Sequence, residues 1–286
     1  MSDEIKRIVL IGPVYPYKGG ISHYTGLMYR ALTKKYQTFM VSYRFQYPKF
    51  LYKKEQKDYT NDSFRVKDTR FWVHTANPLN WIRTAGRIRK LNPDLIIVQW
   101  WHPYFAPCYL VLTRLLGKRK ILFICHNVFP HERFPFDRKL TRMVLKRGDA
   151  FIVQSGKDAE DLTSILPGAR FEQAVHPTYN AFKFENMSKE KARQLLLIPM
   201  EEKVLLFFGF VREYKGLKYL IHALPRIRKE CENIRLFVVG DFGNVQNREA
   251  YEKIMEENRV KDVVTVCDGY IPDRGIEKYF AACDLV

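Results

Sequence analysis

Three apolar runs in the first half of the chain, DLIIVQW (94–100), KILFIC (120–125) and DAFIVQS (149–155), constrain its fold more than any other feature. Each is short and lacks the alternation of a strand with one wet face, so each reads as a strand covered on both sides. Between them lie YLVLTRLLGK and RKLTRMVLKRG, which have helical spacing, and the first closes on a C-cap glycine, Gly117. Upstream, KRIVLIG (6–12) is another β-rich run. It is followed by HYTGLMYRALTKKY (23–36), where Tyr24, Leu27, Met28 and Ala31 recur at helical intervals. Strand and helix in alternation predict an α/β chain with a parallel, doubly wound sheet.

A second series starts near residue 203. KVLLFFG, NIRLFVVG and DVVTVCDG read as strands, with LKYLIHALPRIRKE, EAYEKIMEENRV and GIEKYFAACDLV between and after them. HPTYNAF (176–182), rich in turn residues, is the expected linker. Two Rossmann-like domains follow, 1–178 and 179–286, with no short repeat and no low-complexity tract. AACDLV has the look of another buried strand beginning, so the second domain is expected to be incomplete at Val286.

With 286 residues, 47% of them hydrophobic, the chain can bury a sizeable core. No segment is long and uncharged enough to span a bilayer. MSDEIKRIVLIG puts acid first and a short apolar run second, unlike a signal peptide. The five cysteines contain no CxxC, and Cys125 and Cys267 fall in strand-like runs, as reduced core residues do. A cytoplasmic protein is expected. Its charge is uneven: residues 1–180 hold 30 Lys+Arg against 14 Asp+Glu, and residues 181–286 hold 18 against 17. The first half therefore faces something anionic, a membrane surface or a nucleic acid, or else is an ordinary solvated basic surface.

In open α/β sheets ligands bind beyond the carboxyl ends of the strands, so the residues there are the candidates. After the first strand comes GPVYPYKGGISHYTG, whose Gly19–Gly20 pair precedes a helix. Backbone amides there can approach a phosphate, and an ordinary glycine turn explains the pair equally well. The spacing is neither GxGxxG nor GxxxxGK[ST], which leaves dinucleotide and P-loop binding unsupported. After KILFIC comes HNVFPHE: His126 can touch a ligand, or can be hydrogen-bonded within its loop. His126, His131 and Glu132 are metal-ligating types, but Pro130 interrupts the loop and no HExxH face can form, so no metal is expected. After KVLLFFG, Arg212 offers a planar fork, Lys215 a compact charge, and Gly216 opens a helix whose amides favour an anion. The pair suits a diphosphate, or is two solvated surface charges. With no DxD motif, protein cations would have to stabilise a departing diphosphate themselves.

Taken together, GPVYPYKGGISHYT, ICHNVFPHE, FIVQSGKDAEDL, HPTYN, FFGFVREYKGLKYLIHALP, RLFVVGD and VTVCDGYIPDRGIEKYFAACDLV resemble, in order, the group 1 (family four) glycosyltransferases. That resemblance implies the GT-B fold, two Rossmann-like domains facing a cleft, and retaining, metal-independent transfer from a nucleoside-diphosphate sugar, with no cofactor. In the family's G-x-x-R-x-x-K-G pattern the arginine and lysine hold the donor diphosphate. Gly209, Arg212, Lys215 and Gly216 match it position by position. Gly19 and Gly20 match the loop that closes over the diphosphate and sugar, His126 the histidine that contacts the sugar, and Gly269, Tyr270 and Ile271 the segment against the nucleobase. The resemblance thus assigns His126, Arg212 and Lys215 to catalysis. It also implies an E-x7-E motif, the last strands and a bracing helix, which this sequence does not contain. A fragment of a longer enzyme is expected; a non-catalytic sugar-nucleotide or glycan binder is the alternative.

The acceptor side of such an enzyme is the basic half. YRFQYPKFLYKKEQK (43–57) interleaves aromatic with basic residues, and WIRTAGRIRK places Trp81, Ile82, Ala85 and Ile88 to one side with arginines around them. WWHPYFAPCYLVL is aromatic and apolar, fit for docking or simply for packing. A hexosyltransferase of polysaccharide biosynthesis, peripheral at the inner face of a membrane and acting on a glycan or lipid-linked acceptor, is the expectation. No nucleic-acid recognition signature is present, and nucleic acid is not expected as a partner.

Overall fold

The computed structural model describes residues 5–52, 54–60, 62, 64–177 and 185–286. The chain divides into two compact units, Met1–Pro177 and Thr178–Val286. Most of the expected linker, 178–182, and Lys53 of the aromatic–basic stretch lie outside the described residues.

The first unit runs β1 (Arg7–Ile11), α1 (Gly20–Leu32), β2 (Gln37–Phe45), β3 (Arg70–His74), α2 (Pro78–Lys90), β4 (Leu95–Trp100), a 3-10 turn at Pro103–Phe105, α3 (Ala106–Leu115), β5 (Lys120–Cys125), α4 (Asp137–Leu145), β6 (Ala150–Val153), α5 (Gly156–Ile165) and β7 (Phe171–Gln173). The strands form one parallel sheet in the order β3-β2-β1-β4-β5-β6-β7. The order reverses between β1 and β4, which makes their carboxyl ends the place where a crevice opens. The doubly covered runs are as buried as their composition demands: Ile96, Val98, Trp100, Phe123, Cys125 and Val153 are all within the core.

Aspartates set the strand starts. Asp94, just before β4, accepts from the backbone amides of Lys6 and Arg7 at 2.9 and 2.8 Å, and Asp149, just before β6, accepts from Ile121 at 2.7 Å. A carboxylate holding the first amide of the neighbouring strand fixes the register of the parallel pair. In α2, Trp81, Ala85 and Ile88 face the core as expected, but Ile82 does not: it is 55% exposed. At 100° per residue it falls off the buried stripe and beside Arg83.

The second unit runs α6 (Lys189–Leu196), β8 (Lys203–Phe208), α7 (Leu217–Glu230), β9 (Ile234–Gly240), α8 (Val245–Glu257), β10 (Val264–Asp268) and α9 (Asp273–Ala282), with a parallel sheet ordered β10-β9-β8. The AACDLV run meets β8 through a parallel bridge, Leu205 to Leu285, and Asp284 accepts from the Val204 amide at 2.7 Å in the same strand-start role. Arg193, 1% exposed, ties α6 to this run: it donates to the Ala282, Pro199 and Met200 carbonyls and pairs with Asp284 at 2.8 Å. A buried guanidinium with each side satisfied in this way holds one geometry, and removing a partner would leave an uncompensated charge.

Candidate functional site

In the first unit the carboxyl ends of β1, β4 and β5 converge on His126. Its backbone amide continues the ladder to Trp100 at 2.9 Å, and its Nε2 lies 2.6 Å from Gln99 Oε1. Gln99 Nε2 points instead to Met28 Sδ at 3.6 Å, so Oε1 is left to accept and His126 Nε2 carries the proton. Gly12 makes this possible: a Cβ there would lie 2.5 Å from Gln99 Cγ. The Tyr24 ring stands edge-on to His126 at 4.8 Å and near His176 at 5.6 Å. Burial lowers the His126 pKa to about 4, the nearby His176 adds to this, and a hydrogen bond to Gln154 opposes it. The imidazole is therefore neutral at physiological pH. Behind it, Asp158 accepts from the Val128 amide at 2.9 Å and from the Ser155 hydroxyl at 2.6 Å, which holds the loop after β5.

Gly19, at φ 102°, precedes α1, and no side chain caps that helix. The first turn contains no acidic residue. Gly19 and Gly20 are exposed, with open space where a Cβ would stand.

In the second unit three strands end in glycines with positive φ: Gly209 after β8 (110°), Gly240 closing β9 (153°) and Gly269 after β10 (121°). They are laced by backbone bonds, Gly209 N to Val239 O at 2.9 Å and Gly269 N to Gly240 O at 3.0 Å. A Cβ on Gly240 would lie on the Gly209 carbonyl oxygen. Beyond Gly209 the chain makes a 3-10 turn, Glu213–Lys215, and enters α7 through Gly216 at φ 78°. The turn folds Lys215 back so that Nζ stands 2.8 Å from the position a Gly209 Cβ would take, and Arg212 reaches toward Gly243, 3.8 Å from its ideal Cβ. Burial depresses the Lys215 pKa. Among the described residues neither Arg212 nor Lys215 is ion-paired, although nine ion pairs join described residues of this unit. Two cations gathered at glycine-lined amides, with no carboxylate spent on them, suit a bound polyanion. Tyr270 is partly exposed after Gly269, while Ile271 packs inward with Phe208 and Cys267.

The sequence-derived residues thus fall into two groups. Gly19, Gly20 and His126 are on the first unit's sheet edge; Gly209, Arg212, Lys215, Gly216, Gly269, Tyr270 and Ile271 are on the second's. Gln99, Tyr24 and Gln154 surround His126 and were not anticipated, although VQ closes two of the three apolar runs and a glutamine ending a buried strand is itself a signal. His131 and Glu132 are exposed, and among the described residues no group of three His, Cys, Asp or Glu gathers as for a metal.

Two parallel sheets of this topology, each with its candidate residues along the carboxyl edge, define the glycosyltransferase class of GT-B fold. Solved structures agree across 96–99% of this chain. Sucrose-phosphate synthase from Thermosynechococcus elongatus superposes with a TM-score of 0.67 at 17% identity, over 98% of this chain and 74% of its own. Anabaena HepE in complex with UDP and glucose gives 0.68 at 15%, over 98% and 73%. The catalytic domain of Arabidopsis thaliana starch synthase IV, bound to ADP and acarbose, gives 0.62 at 13%, over 98% and 77%. Residues 18–172 match the model of Glycosyltransferase Family 4, and 188–286 that of Glycosyl transferases group 1. The chain belongs to this family. An uncharacterized glycosyltransferase of Methanocaldococcus jannaschii is 24% identical over 210 residues, 65% of this chain, and the matched region spans about half (51%) of that protein.

Proposed function

We propose that the protein transfers a sugar from a nucleoside-diphosphate sugar to a glycan or lipid-linked acceptor, with retention and without a metal. The observation that carries this is the turn from Gly209 to Gly216, where exposed Arg212 and Lys215, with no ion pair among the described residues, meet bare backbone at a strand end. The names of similar structures, among them complexes with UDP, UDP-glucose and ADP, support a nucleotide-sugar donor.

In this reaction the bond between the sugar C1 and the diphosphate oxygen breaks, and the acceptor hydroxyl oxygen bonds to C1 on the same face. The hydroxyl proton leaves with the diphosphate. Arg212 and Lys215 take up the charge that develops on the departing oxygens, work that fixed cations do without reorganising. His126, neutral and oriented by Gln99, sets its ring against the sugar and carries no charge to repel the developing cation at C1. The aromatic and basic surface of the first unit serves the acceptor, at the face of an anionic membrane.

The test is release of free nucleoside diphosphate from a panel of UDP-, GDP- and ADP-sugars, alone and with acceptor extracts. At least one donor is expected to turn over. Arg212→Ala is expected to cut turnover by about 100-fold or more, the scale of losing one transition-state donor. A protein that binds a nucleotide sugar but releases no diphosphate would be a binder, and an Arg212→Ala variant with full turnover would remove the proposed cradle.

A further inference from the structure

β3 ends the first unit's sheet, with β2 on one side and no strand on the other among the described residues. Successive residues of a strand aim their backbone groups at opposite edges. Thr75 N donates inward, to Phe45 O at 3.1 Å, so the amides and carbonyls of Trp72 and His74 face outward. RFWVH is rich in β-formers, and Phe71 is exposed. An open edge of this kind is a template on which another chain can pair. The opposite edge, β7, is only three residues long and offers little to pair with.

Side chains of α2 occupy that edge. Asn80 Nδ2 donates to Trp72 O at 2.9 Å, and Asn80 Oδ1 accepts from His74 N at 2.7 Å. A residue of a parallel neighbour makes the same two contacts, donating to the carbonyl before its partner residue and accepting from the amide after it. The Asn80 carboxamide thus stands opposite Val73 in the place of one residue of an eighth strand. Thr84 Oγ1 gives Trp72 O a second donor at 3.2 Å, and Trp81 Nε1 donates to His74 O at 2.8 Å.

The start of the helix holds these groups in place. Asn77 caps it, accepting from Asn80 N at 3.1 Å, and Pro78 follows at the first helical position. Trp81 and Thr84 are buried, so packing fixes their rotamers. Charge adds a second barrier. The Arg70 and Arg87 guanidiniums lie over the Trp72 ring at 5.6 and 5.5 Å, and two copies meeting here would bring like charges together.

We infer that α2 carries a built-in guard: Asn80, backed by Trp81 and Thr84, closes the edge of the first unit's sheet against a second copy of this chain. Without the carboxamide the His74 amide loses its acceptor and Trp72 O loses one of its two donors. Two such edges related by a two-fold axis would then pair antiparallel, with exposed Phe71 adding apolar contact. The guard acts whether or not the chain transfers a sugar, so its failure leaves the transferase proposal where it stands.

The experiment is sedimentation velocity on the full chain over a wide range of concentration, with hydrogen exchange at the His74 amide followed in parallel by NMR. Asn80→Ala is expected to form a concentration-dependent species absent from wild type. It is also expected to speed exchange at His74 by about ten-fold, the scale of one lost hydrogen bond. Adding Phe71→Lys places a charge on the opened edge and is expected to suppress the association. An Asn80→Ala protein that sediments as wild type does, or exchanges at His74 no faster, overturns the guard. Association that persists with Phe71→Lys overturns it as well, since it would come from surfaces other than this edge. If Asn80→Ala fails to fold by circular dichroism, Trp81→Phe decides. That variant keeps the buried ring, loses the bond to His74 O and is expected to associate; sedimentation as wild type overturns the guard there too.

Discussion

The two units handle charge in opposite ways. The first holds 30 Lys+Arg against 14 Asp+Glu, so most of its cations have no acid to balance them; Arg133–Asp137 and Lys157–Asp161 are ion pairs within it. The second is nearly balanced and laces its surface with pairs such as Arg228–Asp262 and Arg235–Glu202, leaving Arg212 and Lys215 out. Exposed pairs contribute little to stability, so the contrast is not one of stability. In the second unit two cations without an ion pair among the described residues sit at one strand end; in the first the cation excess is spread over a surface.

The largest expected effect breaks the second unit at that point. Gly240→Ala sets a methyl against the Gly209 carbonyl at a φ that disfavours side chains, so a loss of about 3 kcal/mol or more is expected. Urea unfolding would check it, and an unchanged midpoint would mean that the two strand ends do not meet.

Next is a pH effect confined to the first unit. The His126 pKa is lowered to about 4, chiefly by burial and then by His176, whereas in the unfolded chain it is near 6.5. Between those values the unfolded chain binds more protons, so stability falls as pH falls through that window. From pH 7 to pH 5 the loss attributable to this group is about 2 kcal/mol. His126→Asn is expected to flatten the dependence, and a variant as acid-sensitive as wild type would put the titrating group elsewhere.

The smallest effect per residue is the most diffuse. Cosedimentation is expected with anionic vesicles and not with neutral ones, each surface cation adding about 1 kcal/mol. Salt should abolish it, as screening shortens to about 3 Å at 1 M. Equal recovery with both vesicle types would reduce the charge surface to ordinary solvation, and steep salt dependence toward an oligonucleotide would favour nucleic acid.

Much of this was legible in the residues themselves. The buried runs announced β4, β5 and β6, and the strand-end rule led from KILFIC to His126 and from KVLLFFG to Arg212 and Lys215. β2 and β3 carry no such run. QTFMVSYRF places Ser42 in the core and Arg44 in solvent, and RFWVH is an edge strand of mixed exposure, so tertiary pairing overrides a weak local pattern. α6, KEKARQLL, buries only Ala192 and Arg193 and lays Leu196 partly against the core, too narrow an apolar contact to stand out in the sequence.

The row of strand-end glycines in the second unit limits how the protein can diversify. Where Gly209, Gly240 and Gly269 meet, the surface is main chain with the Lys215 ammonium beside it, and main chain is the same whatever the codon. Substitution there can only damage the ledge. A lineage that changes its preferred substrate must therefore do so from the flanks, through side chains such as Tyr270, while the ledge is inherited whole.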